Sequence, residues 1–166
     1  LVRGEIFIST GLDAARRPLR VASEQGVLEP LGTRFSVRQL EGVTQLAVLQ
    51  GRVRATPSHA APQVIETGEQ LQFSAAAFGP VRPASEVATR WTEGQLVAEN
   101  LRLGEFLAEL GRYRPGRLHC DDSASALRIS GGFQLDNSDA ILAALPDTLP
   151  VTVSYRTRYW VTVSRA

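Results

Sequence analysis

Residues 129–145 read ISGGFQLDNSDAILAAL. The fold turns on whether Gly131 and Gly132, beside Asp136 and Asp139, cradle an anion or hand a strand on to a helix. A phosphate cradle of the dinucleotide type needs a glycine-rich turn opening directly onto a helix N-terminus, where free N–H groups point at the anion. Here Phe133, Gln134 and Leu135 intervene, and two aspartates would repel a phosphate. The stretch is therefore architectural. Its glycines permit a bulge or a close backbone approach, Phe133 and Leu135 enter a core, and Asp136 is the expected N-cap of a helix, with Asp139 three residues on. Ile141, Leu142 and Leu145 form the inner face of that helix, and Pro146 predicts its end.

The flanks extend the same pattern. Leu103, Phe106, Leu107 and Leu110 fall at i, i+3, i+4 and i+7, one face of a helix that ends before Pro115. Gly104 and Gly111 lie where helix formers are expected, each costing up to about 1 kcal/mol against alanine, so this helix relies on packing. RLHC (117–120) and LRISGGF (127–133) read as strands around a short Asp-Asp-Ser connection. PVTVSY (150–155) and YWVTVS (159–164) make a hairpin around 156–158, with Val151, Val153, Val161 and Val163 facing the core by two-residue alternation. The order is strand, helix, strand, strand, helix, strand, strand, an α+β unit of βαβ-βαβ type over residues 93–166.

Residues 1–85 follow a different pattern. GEIFIS, LRVAS, TRFSVRQL, TQLAVLQ, GRVRATP and EQLQF are short alternating runs, punctuated by glycine at 4, 11, 26, 32, 42, 51 and 68. Turn signals at about ten-residue spacing predict an all-β, solenoid-like subdomain. Residues 75–85, AAAFGPVRPAS, carry two prolines and one charge, which suits a linker or an edge segment.

With 166 residues and 43% hydrophobic content, the chain can bury a sizeable core in one domain or two small ones. The net charge is +1, and it divides as +2 for residues 1–92 and −1 for 93–166. Neither half carries a broad field for nucleic acid. All eighteen basic residues are arginine, which excludes a Schiff-base lysine and a phosphate-loop lysine. The single cysteine, Cys120, excludes an internal disulfide and a cysteine-based zinc cluster. No apolar run approaches the roughly 20 residues of a membrane span, so a membrane-bound parent protein would carry its span in a segment outside this sequence.

Candidate chemistry reduces to architecture. His119, Cys120, Asp121 and Asp122 are adjacent, and neighbours on a strand point to opposite faces, so the four do not converge on one ion. Acidic neighbours would raise the Cys120 pKa and leave it unreactive. His59 lies in the loop-like TPSHAAP. Glu105 and Glu109 share a helix face as a conceivable acid/base pair, yet Arg102 and Arg112 three residues before and after make it a charge-balanced solvated face. Arg112, Tyr113, Arg114 and Arg117 are the one basic-aromatic cluster near a helix end, explained by cations at a helix C-terminus. The nucleophile elbow, the two-histidine zinc helix and the calcium loop are all missing, so no catalytic, cofactor or metal residue is assigned.

The runs RGEIFI, LGTRFSVR, AVLQGRVRATP and TGEQLQF, in that order, resemble the periplasmic domain of FecR-type regulators. NLRLGEFLAELGRYRPGRLHCDD, LRISGGFQLDNSDAILAALPDTLPV and YWVTVS are similar to the short N-terminal domain shared by secretins and TonB-dependent receptors, which FecR-type proteins carry at their C-terminal end. The resemblance implies the periplasmic part of a single-pass inner-membrane regulator of a sigma factor. Its expected partner is the N-terminal signalling domain of an outer-membrane, TonB-dependent siderophore transducer. The sigma factor would be met through a cytosolic segment, and a periplasmic protease would complete the relay. The first strands of the β domain, the membrane helix and the cytosolic segment are expected outside this sequence.

In that plan, two- and three-stranded sheets enclose two helices and leave strand edges able to accept a partner strand. Candidate contact residues are Arg117, Leu118 and His119 on one edge, Leu127 and Ile129 on a second, and Tyr155, Arg156, Arg158, Tyr159 and Trp160 on the hairpin. Trp160 is alternatively a core residue, because its neighbours alternate. Other classes fit less: a cell-wall or carbohydrate module built on Trp91 and Trp160, a hydrolase using Asp121 or Asp122, or a unit that self-associates as secretin subunits do.

Overall fold

In RVRATP the apolar positions alternate with arginines, so that Val53 and Ala55 are buried while Arg52 and Arg54 stand in solvent. The same alternation, repeated strand by strand, builds the first of two units in a computed structural model that describes residues 1–11 and 19–166. The units span Leu1–Thr89 and Arg90–Ala166.

Unit 1 holds β1 (Gly4–Ser9), β2 (Val21–Ala22), β3 (Gly26–Pro30), β4 (Arg34–Gln39), β5 (Thr44–Gln50), β6 (Arg52–Pro57), β7 (Gln63–Glu66), β8 (Glu69–Phe73) and β9 (Arg82–Pro83). One sheet has the order β1-β4-β5-β8-β9 and the other β2-β3-β6-β7, every pair antiparallel. Leu28, Phe35, Val37, Leu46, Val53, Ile65 and Phe73, drawn from both sheets, close a single core. A solenoid coils its strands in parallel, so these antiparallel ladders correct the solenoid-like expectation to a two-sheet arrangement. β3 and β7 escaped the sequence because GVLEP and QVIE are too short and too interrupted to show a period. The 75–85 segment is an edge: β9 closes one margin of the larger sheet against β8.

A buried polar knot ties the two sheets at one end. The Gln39 side-chain amide donates to Gln25 Oε1 at 2.7 Å, and the Thr44 hydroxyl lies 2.8 Å from both Gln25 Oε1 and Ser23 Oγ. The Gln25 carbonyl accepts from the Ser58 N–H at 2.9 Å. These groups satisfy one another, as burial away from water demands.

Unit 2 holds β10 (Gln95–Arg102), α1 (Leu103–Leu110), β11 (Arg117–Cys120), α2 (Asp122–Ser125), β12 (Arg128–Gln134), α3 (Ser138–Thr148), β13 (Val151–Thr157) and β14 (Trp160–Arg165). β10 and β12 pair antiparallel as a two-stranded sheet. The other sheet has the order β11-β14-β13, with β11 parallel and β13 antiparallel to β14. Helices α1 and α3 each touch strands of both sheets. The core is Leu103, Phe106, Leu107 and Leu110 of α1, Ile141, Leu142 and Leu145 of α3, and Val151, Val161 and Val163 of the hairpin. This is the expected α+β plan.

Four local expectations are corrected. The N-cap of α3 is Asn137, whose Oδ1 accepts from the Ala140 N–H at 3.1 Å, while Asp136 lies one residue earlier in a 3-10 turn. Pro146 does not stop α3. It falls in the last turn, where its missing N–H forfeits one bond, and the Leu149 N–H still reaches the Leu145 carbonyl at 2.9 Å. The Asp-Asp-Ser connection is a helical turn, α2, capped by Asp121. Trp160 is outside the core, 42% exposed.

Gly104 has its own reason to be in α1. A side-chain carbon there would lie 3.3 Å from Ser125 Cβ, so the glycine lets α1 and α2 approach.

Candidate protein-binding surface

β14 runs down the middle of the three-stranded sheet, and its register sorts the side chains of all three strands. Arg117 stands opposite Trp160, and His119 and Ser154 stand either side of Thr162. Leu118, Cys120, Val153, Val161 and Val163 point the other way, into or against the core. The outward face is thus Arg117, His119, Trp160 and a set of hydroxyls, with β11 and β13 as its two open edges.

β13 carries an irregularity between Tyr155 and Thr157 that displaces Arg156 from the regular alternation. An extra residue of this kind re-aims a side chain. The Arg156 guanidinium lies over the Trp160 ring, 4.8 Å from its centroid, and that of Arg158 over Tyr159 at 4.5 Å. Tyr155 and Tyr159 are 49% and 46% exposed. Three aromatic side chains and three arginines, 117, 156 and 158, therefore gather at one end of the sheet.

The hairpin turn is pinned from behind. The Arg114 side chain is 3% exposed, and its Nη2 donates to Asp139 Oδ1 at 2.8 Å and to the Arg158 carbonyl at 3.3 Å. Gly116 adopts φ +96°, and a side-chain carbon there would lie 2.1 Å from the Tyr159 carbonyl oxygen. Only glycine allows the Arg117 N–H to reach that carbonyl, at 2.6 Å.

The remaining expected contact residues are distributed elsewhere. Leu118 and Leu127 pack against the second core, and Ile129 is buried within it. The open margin of β12 borders a groove of about 300 Å³ floored by Phe133, Ile141 and Leu145, with Arg128 in its wall. The structure thus brings together Arg117, Tyr155, Arg156, Arg158, Tyr159 and Trp160, and leaves Leu127 and Ile129 to the other sheet. Arg114 was missed as a positioning residue, because its partners lie 25 and 44 residues away in sequence.

The acidic corner at 119–122 has structural work. Asp121 Oδ1 accepts from the Ser123 hydroxyl at 2.6 Å and from its N–H at 3.0 Å, and these bonds, the hydroxyl first, hold its carboxyl below the ordinary range. Burial, then Asp121 and Asp122, push the Cys120 thiol up. Among the described residues no group of three or more histidines, cysteines or carboxylates could hold a metal ion. None of the described helices is long and apolar enough to cross a membrane. Trp91, one support of a carbohydrate-binding reading, packs against the second core.

Residues 1–54, from β1 into β6, match the FecR protein family. Two crystal structures of a provisionally assigned anti-sigma factor from Parabacteroides distasonis ATCC 8503, at 2.50 and 1.65 Å resolution, are similar in fold. Each has a TM-score of 0.73 over 99% of this chain and 78% of its own, with 17% and 18% sequence identity. No curated protein matches the sequence significantly. The sequence match to the FecR protein family thus rests on residues 1–54, about a third of the chain, and the likeness to the two crystal structures is one of fold.

Proposed function

We infer that this chain is the periplasmic signalling region of an inner-membrane sigma regulator, with the membrane helix and cytosolic sigma-contacting segment carried elsewhere in a longer protein. Unit 2 is read as the short N-terminal domain type found in secretins and TonB-dependent receptors. Its partner is the N-terminal signalling domain of an outer-membrane, TonB-dependent siderophore transducer, and the downstream output is transcription of iron-uptake genes. The FecR-type match supports the regulator, and so does the fold shared with the Parabacteroides distasonis protein.

The observation that carries the binding role is the cluster of Tyr155, Tyr159 and Trp160, each more than two-fifths exposed, interleaved with arginines on an open-edged sheet. Tyr, Trp and Arg are the residue types that concentrate binding energy at protein interfaces. A partner that binds only the folded unit stabilises it by mass action and so controls how often the chain opens to a periplasmic protease. Mixing the purified chain with a transducer signalling domain should yield a stoichiometric complex and a raised melting temperature. A mixture that elutes as two separate species with an unchanged melting temperature, at high micromolar concentration, refutes the reading.

A further inference from the structure

The charges of unit 2 are segregated. Residues 90–166 contain nine arginines and nine carboxylates, yet β11, β13, β14 and the turn joining the last two hold Arg117, Arg156, Arg158 and Arg165 and no carboxylate. The three-stranded sheet therefore carries +4 and the rest of the unit −4, although the unit as a whole is neutral. Asp139 is engaged by Arg114, and Asp121 and Asp122 follow the end of β11 remote from the 158–160 turn. A neutral domain with one cationic sheet presents a directional field that steers a negative partner to that sheet.

The geometry of β13 says how such a partner would sit. It is an open edge seven residues long, and its exposed run from Ser154 to Thr157 is flanked by the aromatic cluster. A strand added there would place alternate side chains on two faces, beside Arg156 and Ser154 on one and beside Tyr155 on the other. The competing edges fit less well. β11 is only four residues long, and the β12 groove has Arg128 as its one charged lining residue.

We propose that the three-stranded sheet of unit 2 accepts a fourth strand along β13, an acidic extended segment of a second polypeptide whose carboxylates meet Arg156 and Arg158. This deepens the protein-binding reading above, and rests on it only for the identity of the partner.

The test uses the whole chain and two synthetic peptides of about ten residues, the length of a long strand. Both alternate Thr and Val with a charged residue, Glu in one and Lys in the other. Backbone amide NMR should show the acidic peptide shifting β13 and the 157–160 turn. It should bind at least about tenfold tighter than the basic peptide at about 0.02 M salt, and lose most of that preference by about 0.3 M. Arg156→Glu combined with Arg158→Glu should reverse the preference. Arg165→Glu, at the other end of the sheet, should leave it in place. Equal binding of the two peptides, no binding of the acidic one, or shifts confined to β11 or β12 would each overturn the proposal, as would a concentration-dependent mass showing that a second copy of this chain occupies the edge. A transducer domain that binds the double variant as well as the parent removes the proposal and spares the function. An acidic peptide that binds where no transducer domain does removes the function and spares the proposal.

Discussion

Arg114 Nη2 lies 2.8 Å from Asp139 Oδ1, a pairing in which the cation is 3% exposed and the anion 72%. Arg114 Nε and Nη1 are buried with no hydrogen-bond partner. The pair is therefore asymmetric: losing the surface member strands a buried charge, whereas losing the buried member strands none. Asp139→Ala is expected to cost about 2 kcal/mol, below the usual range for a broken buried pair because the carboxylate is solvated. Arg114→Met, which keeps the volume and removes the charge, should cost less. Urea denaturation of the two variants and the parent checks the order.

Gly116 combines a left-handed backbone with a carbonyl in the place of a side chain. Gly116→Ala must shift the Tyr159 backbone and is expected to cost about 3 kcal/mol or more. The loss should appear as broadened amide signals around 116–118 and 158–160 before any change in unit 1 signals.

The knot in unit 1 is testable by deletion and repair. Gln25→Ala removes the acceptor shared by Gln39 and Thr44 and should cost about 2 kcal/mol. Gln25→Leu with Thr44→Val, which removes both ends of the Gln25–Thr44 bond while the Gln39 amide keeps the Leu40 carbonyl, should recover part of that loss. Chemical denaturation of the single and double variants decides it.

Trp160 and Tyr159 separate binding from stability. Each is half exposed, so Trp160→Ala or Tyr159→Ala should lower stability by no more than about 1.5 kcal/mol. Either should weaken a complex through this face by about 2 kcal/mol or more. Calorimetry of binding alongside thermal melts gives both numbers.

Two groups set opposite pH limits. The folded pKa of Asp121 lies below the ordinary 3.8, so its contribution is present above that value and is lost as pH falls through the folded one. The melting temperatures of the parent and Asp121→Asn should differ at neutral pH and converge in acid. The Cys120 thiol lies above its ordinary 9.0, so its contribution holds below that pH and fades as pH rises past it. Alkylation of Cys120 should be slow in the native chain at pH 8 and fast in urea.

Periodicity made much of unit 2 legible. The spacing of Leu103, Phe106, Leu107 and Leu110 is a property of one helix, and all four are buried. The cap of α3 was misplaced by one residue because Asp136 and Asn137 are adjacent and both suit the position. Trp160 was legible: the core alternative was drawn from the alternation of its neighbours, yet the alternation that sends Val161 and Val163 inward sends Trp160 outward. What local pattern cannot show is pairing at a distance. The parallel partnership of β11 with β14 and the Arg114 contacts join residues tens of positions apart, and no short window of sequence contains both members. The placement of Arg117 beside the hairpin arginines was hidden for the same reason, since it meets Trp160 only through the register of β11 on β14.

The central position of β14 also bears on how the unit comes to be made. It is the last strand of the unit to leave the ribosome, yet β11 and β13 have no hydrogen-bonded sheet neighbour without it. Until it emerges, the β10–β12 pair is the one sheet of the unit that can form, so the three-stranded sheet, and the core it closes, must be completed late.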